Sequence, residues 1–224
     1  MEKVKLYGTK EVRAAAYNRM TARSFLNLAE KSKEGQFYTS QASLLFSAFT
    51  HEAFLNTLGT KIISFWKELE YLKPTQKLTI IAETLQFSPD FSQRPYQTLK
   101  ALFDFRNAMA HGRDEEIHLD GVTVPRSDSS TGYTEAVTAV WVAFCTVENA
   151  KRAYEDIEKI ARDLADRAKI EEMPNYPFGS PESTLLRIIG EDITTGTGKL
   201  TAEGGTPVAD EGVKESNDGQ DHSA

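Results

Sequence analysis

The chain is short of cysteine, of histidine and of positive charge, and it has no uninterrupted apolar run near the ~20 residues that a membrane-crossing helix needs. Each scarcity removes a class of protein. A single cysteine, Cys145, forms no internal disulfide and leaves no thiolate cluster for zinc. It falls among Val142, Ala143, Phe144 and Val147, the setting of a core thiol. The opening MEKVKLYGTKEVRAAAYNRM lacks the apolar stretch of a signal peptide, so the expectation is a cytoplasmic protein. A formal net charge of -7 argues against coating nucleic acid by bulk electrostatics, while a local basic cleft stays open. Internal repeats, an HExxH pair and a Gly-x-Ser-x-Gly elbow are all missing. The GTGK of Gly196 to Lys199 superficially resembles a phosphate loop, but Ile193 stands where glycine is required, Leu200 where Ser or Thr is, and no strand precedes it. No cofactor and no metal ligand set is expected.

What is present reads as helix. A length of 224 residues suits one domain with appendages or two small ones. The pattern predicts an all-α fold, a helical bundle over 9–170, followed by a low-complexity tail over 171–224 that is mostly disordered. Residues 9–33 predict a first helix with Val12, Ala16, Tyr17, Met20, Leu26 and Leu28 inward. Arg13, Arg19 and Arg23 lie on its other face, as a solvated surface or a phosphate-contacting rim. A second helix, 39–59, is apolar through Leu44, Leu45, Ala48, Phe49, Leu55 and Leu58, with Glu52 at the centre of its stripe and His51 to one side.

A short helix over 62–71 holding Trp66 should follow, stopped by Pro74, which then starts another helix over 74–87 with Leu78, Ile81, Ala82 and Leu85 inward. Residues 88–95 form a two-proline loop. Later, the Asp120-Gly121 turn predicts a β-hairpin over 116–124, with His118 facing away from its apolar pairs. The longest helical pattern spans 130–169. Its first half, Val137 to Val147, is thickly apolar and should pack in the core, whereas the thinner stripe of Tyr154, Ile157, Ile160 and Leu164 should project. Within the tail, Ser183 to Ile189 reads as a helical turn or a docking segment.

The stretch around which these parts are organised is LKALFDFRNAMAHG, Leu99 to Gly112. At about 100° per residue, Leu99, Leu102, Phe103, Met109 and Ala110 share a stripe with Arg106 near its middle. A cation on an apolar face needs a partner or a task, because an unpaired buried charge costs several kcal/mol. The inward Glu52 is such a partner. Their pairing serves structure or catalysis equally well. Asn107 and His111, four apart, share the polar edge of the stripe. Gly112 suits the left-handed residue that closes a helix, which leaves His111 in the last turn, where the helix dipole favours its protonated form.

Arg106-Asn107-x-x-x-His111 at the end of a helix in a helical chain resembles the Arg-x4–6-His motif of the HEPN superfamily. The polar residue directly after the arginine matches that family's habit, and Glu52 resembles the acidic position of several of its branches. The resemblance runs over roughly Lys10 to Leu164 and implies a compact helical bundle that dimerises so that two motifs line one cleft. It implies a metal-independent endoribonuclease with an RNA substrate, of the kind that serves as a toxin restrained by an antitoxin protein or as a phage-defence effector. It equally covers relatives that have lost catalysis and act as dimerisation or nucleotide-binding modules. In the ribonuclease version His111 serves the proton steps and Arg106 clamps the phosphate bidentately, supported by Asn107, Glu52 and Arg113. Arg106 and His111 are five apart and diverge by about 140° on an ideal helix. One phosphate therefore meets both only if the arginine wraps round, the helix end distorts, or a two-fold axis brings each histidine to the partner's arginine.

Overall fold

The computed structural model describes residues 6–112, 116–118, 137–169, 178 and 182–188, and these are mostly helical. Strand β1 (Leu6–Val12) leads into α1 (Ala14–Lys31) and α2 (Gln36–Ile62), then a 3-10 turn (Trp66–Leu69), α3 (Pro74–Thr84) and α4 (Gln97–His111). After residues outside the described set come α5 (Val140–Phe144), α6 (Val147–Ala168) and β2 (Glu182–Ile188). The described residues between Leu6 and Arg187 belong to one compact unit. Of the predicted hairpin only 116–118 are described, exposed and without strand structure, and the rest of that prediction lies outside the described residues. The same holds for the predicted tail apart from Phe178 and β2.

Helix α2 is the axis of the bundle, packing against α1, α3, α4, α6 and the 3-10 turn. Its approach to α1 is close because small side chains face each other. On α1, Ala15, Ala22 and Ala29 recur every seven residues and are buried, while Ser40, Ser43, Ser47 and Ala48 are buried on α2. The Ser43 hydroxyl donates to the Ala22 carbonyl at 3.0 Å, a bond that a short side chain makes only across a close helix pair. Residues 32–35 connect the pair, with Gly35 at φ 67° supplying the left-handed turn. This seam corrects the first-helix prediction. Ala16 and Leu26 are buried as expected, but Val12 lies in β1, and Val12, Tyr17, Met20 and Leu28 are exposed. A larger-is-inner reading fails where the neighbouring helix demands small residues.

The second correction concerns 130–169. The thick apolar segment, Val137 to Val147, forms only the five-residue α5 and meets the core at its edge: Cys145 is buried and Trp141 and Phe144 pack half-buried against the core, but Val140 is 86% exposed. The thin stripe is the core: Ala150, Ala153, Ile157, Ile160, Ala161 and Leu164 of α6 are buried against α2 and α1 at three- and four-residue spacing. A cap separates the two helices. The Thr146 hydroxyl accepts from the Asn149 backbone at 3.1 Å, and the Asn149 side chain donates to the Phe144 carbonyl at 3.0 Å. Of the two readings of Ser183 to Ile189, the helical turn is corrected, since Glu182–Ile188 is a strand paired with β1. Its partner lies some 170 residues earlier, beyond the reach of any local pattern.

Between α2 and α3 the chain turns over Trp66, buried flat against Gly59, where an added Cβ would sit 2.2 Å from the ring carbons. Helix α3 opens on Pro74, as the sequence predicts. Helix α4 ends at Gly112, whose φ of 48° and hydrogen bond to the Ala108 carbonyl close the helix. Its buried residues are Thr98, Leu99, Leu102, Phe103 and Phe105; Met109 is only half-buried and Ala110 is exposed.

Candidate functional site

Helix α4 is set in register by its first turn. Asp156 of α6, fully buried, accepts from Arg94 Nε and Nη2 at 2.8 Å each and from the Thr98 hydroxyl at 2.6 Å. Two helical turns further along α6, the Tyr96 hydroxyl donates to Asp163 at 2.8 Å, and burial pushes that hydroxyl above its ordinary range. These charge-assisted bonds hold the start of α4 to α6, and the helix then carries Phe103, Arg106, Asn107 and His111 along one wall of a cleft.

The cleft has a volume of about 910 Å³ and its other walls come from α2, the 70–75 connection and Phe91. At its floor Arg106 Nη2 donates to Glu52 Oε2 at 2.9 Å, so the inward cation and inward carboxylate do meet. Both are about a quarter exposed, 26% and 25%, which keeps the pair in reach of a ligand and limits its worth to roughly 1–2 kcal/mol. Arg106 Nη1 donates to Asn107 Oδ1 at 3.2 Å, and the guanidinium carbon lies 6.0 Å from the centre of the Phe49 ring. Arg106 Nε is buried and unbonded, so outward contacts fall to the terminal nitrogens.

Lys77 was not among the sequence candidates. Its side chain is 1% exposed, and its Nζ lies 3.9 Å from Glu52 Oε1. The carboxylate thus stands between two cations from two different helices, α3 and α4. The means of finding Lys77 was available: it precedes Leu78 and lies four residues before Ile81, on the inward stripe of α3.

His111 is exposed, ends α4 and lines the same cleft as Arg106, Asn107 and Glu52. Arg113 lies outside the described residues. His51 faces the opposite way from a ligand role: it is fully buried beside Phe103, neither ring nitrogen has a partner, and burial lowers its pKa to about 3. His118 is exposed. Cys145 is buried, donates to the Trp141 carbonyl at 3.3 Å and has its thiol pushed up to about 11 by burial, as befits a core thiol. Of the three arginines on the outer face of the first predicted helix, Arg23 is exposed and Arg13 and Arg19 are partly exposed, and each has a neighbour within the chain. Arg19 binds Glu158, Arg23 lies over the Tyr154 ring at 5.4 Å, and Arg13 pairs with Glu11 at 2.8 Å. Among the described residues, no three His, Cys, Asp or Glu side chains are grouped to hold a metal ion, and no helix is long and apolar enough to cross a membrane.

Comparison of the chain with models of known families, with curated proteins and with solved structures finds no match.

Proposed function

We propose that the chain is a metal-independent endoribonuclease of HEPN type, acting in the cytoplasm as a homodimer and as a toxin or phage-defence effector held in check by an antitoxin protein. One observation carries the reading: Arg106, Asn107, His111 and Glu52 line a single cleft. In this reading His111 takes the proton of a ribose 2′-hydroxyl as the 2′-oxygen attacks phosphorus. The 5′-oxygen leaves with a proton from an imidazolium, its own or the partner protomer's, and the strand ends in a 2′,3′-cyclic phosphate. Arg106, steadied by Glu52, donates its terminal N–H groups to the phosphate as charge builds on the equatorial oxygens. Asn107 holds a phosphate oxygen or orients the imidazole, and Arg113 adds positive potential.

A second reading, a non-catalytic HEPN-like dimerisation or nucleotide-binding module, is favoured by the commitment of Arg106 Nη2 to Glu52 and by its buried Nε. One experiment separates the two. Total RNA is incubated with wild type and His111→Ala in EDTA, and the cut ends are mapped. Cleavage by wild type alone with cyclic-phosphate ends supports the nuclease. Intact RNA from a folded protein across several RNA pools transfers the conclusion to the module.

A further inference from the structure

The cleft that holds Arg106 also carries two aromatic side chains that the fold leaves uncovered. Tyr71, 83% exposed, stands in the connection before α3, and Phe91, 45% exposed, stands in the loop before α4 with its ring edge-on to Tyr96 at 6.1 Å. Large rings usually go to a core, because each removes much apolar surface from water there. Here two of them border a concave site of about 910 Å³, within the range of pockets that hold a small organic ligand.

The charges of the same walls balance. Glu52, Glu70 and Asp104 line the cleft together with Lys73, Lys100 and Arg106. Arg106 is bonded to Glu52, and Lys100 Nζ lies 3.7 Å from Asp104. Such a wall, in a chain of formal charge -7, offers a polyanionic backbone little net attraction. Affinity for a nucleic acid must then come from its bases, and every base has a face that stacks on an aromatic ring. In a duplex those faces are already covered by neighbouring base pairs.

We infer that Tyr71 and Phe91 stack an unpaired nucleobase over this cleft, so that the ligand is held by its base faces more than by its backbone charge. The inference rests on the RNA reading of the cleft and specifies what part of the RNA enters it. The shared chemistry is that of an unpaired base, whether in a strand or in a free nucleotide.

The test is fluorescence anisotropy with the full chain and a short, labelled, mixed-sequence 2′-O-methyl RNA, whose blocked 2′-oxygen prevents cleavage. Its duplex is the second probe and unlabelled uridine monophosphate the competitor. The single strand should bind at least about tenfold tighter than the duplex, and Tyr71→Ala or Phe91→Ala should each weaken it by roughly fivefold to a hundredfold. Tyr71→Phe should retain wild-type affinity, and the 83% exposure of Tyr71 makes its two variants safe for folding, so they keep the test decisive if Phe91→Ala disturbs the contact with Tyr96. The log–log salt slope should be roughly −2 or shallower, the mark of few phosphate contacts. Competition by the monophosphate at the strand's own concentration identifies a free nucleotide as the source, and its failure identifies a strand. Affinity unchanged in both alanine variants, equal binding of duplex, a steep salt slope or no binding of any probe overturns the inference. RNA left uncut by the wild type would sink the nuclease reading and leave this binding result standing. Cleavage without dependence on Tyr71 and Phe91 would do the reverse.

Discussion

Acidification should destabilise this fold through one residue, His51. Its imidazole is buried with both nitrogens unbonded, and burial lowers its pKa from 6.5 to about 3. Unfolded, the ring takes a proton near pH 6.5; folded, it resists until near pH 3. Between those values the unfolded state binds the extra proton, so stability rises with pH through the window and levels off above it. One pH unit corresponds to ~1.4 kcal/mol, so at about pH 4.5 this residue alone has removed stability on the order of 3 kcal/mol. That is a large fraction of the ~5–15 kcal/mol that holds a typical domain folded. Urea unfolding from neutral to acidic pH, run on wild type and His51→Leu, isolates the effect because the carboxylates titrate in both. Leucine fills a similar volume and removes two unsatisfied nitrogens, so the variant should match or exceed wild type at neutral pH. Below pH ~6.5 the two curves should separate by up to ~1.4 kcal/mol per unit. Curves that stay parallel down to about pH 4.5 would refute a neutral, buried His51.

Gly59→Ala gains about 1 kcal/mol of helix propensity, but its Cβ would lie 2.2 Å from the buried Trp66 ring. The clash should win, with a net loss of at least ~2 kcal/mol and a fall in Tm of roughly 4–8 °C by calorimetry; a raised Tm counts against it. Asp156→Ala strips three hydrogen bonds from the start of α4 and should cost about 3 kcal/mol in chemical denaturation, whereas a loss under ~1 kcal/mol would deny that anchor its role. Glu52→Leu strands the buried Lys77, and adding Lys77→Met should recover part of the loss, giving a coupling energy above ~1 kcal/mol in a double-mutant cycle. Strict additivity would show that the two do not interact. In the nuclease assay, His111→Ala should abolish cleavage while leaving the unfolding midpoint within about 0.5 kcal/mol of wild type, as expected of an exposed helix-end residue.

The elements that chain-local chemistry specifies were legible. Pro74 starts α3, Gly112 ends α4, and an inward Glu52 met an inward Arg106 because two charges on apolar stripes have few other ways to be satisfied. What escaped the sequence depends on what each element packs against. Alanines outrank Tyr17, Met20 and Leu28 on α1 because α2 presents serines to it, and α6 outranks α5 because an even stripe fits a groove better than a bulky cluster does. Lys77 stands on the inward stripe of α3, where its position is legible; the reason that a lysine stays there, the Glu52 carboxylate, comes from another helix. Tyr71 and Phe91 had no periodicity to mark them, since both lie between helices.

The arrangement around Glu52 has a consequence for any anion that enters the cleft. A ligand that draws the Arg106 guanidinium toward itself takes away one of the carboxylate's two counter-ions, yet the Lys77 ammonium, 3.9 Å away on the other oxygen, remains. Lys77 is in that sense a reserve cation: with it in place, a turn of Arg106 away from Glu52 would not orphan the carboxylate.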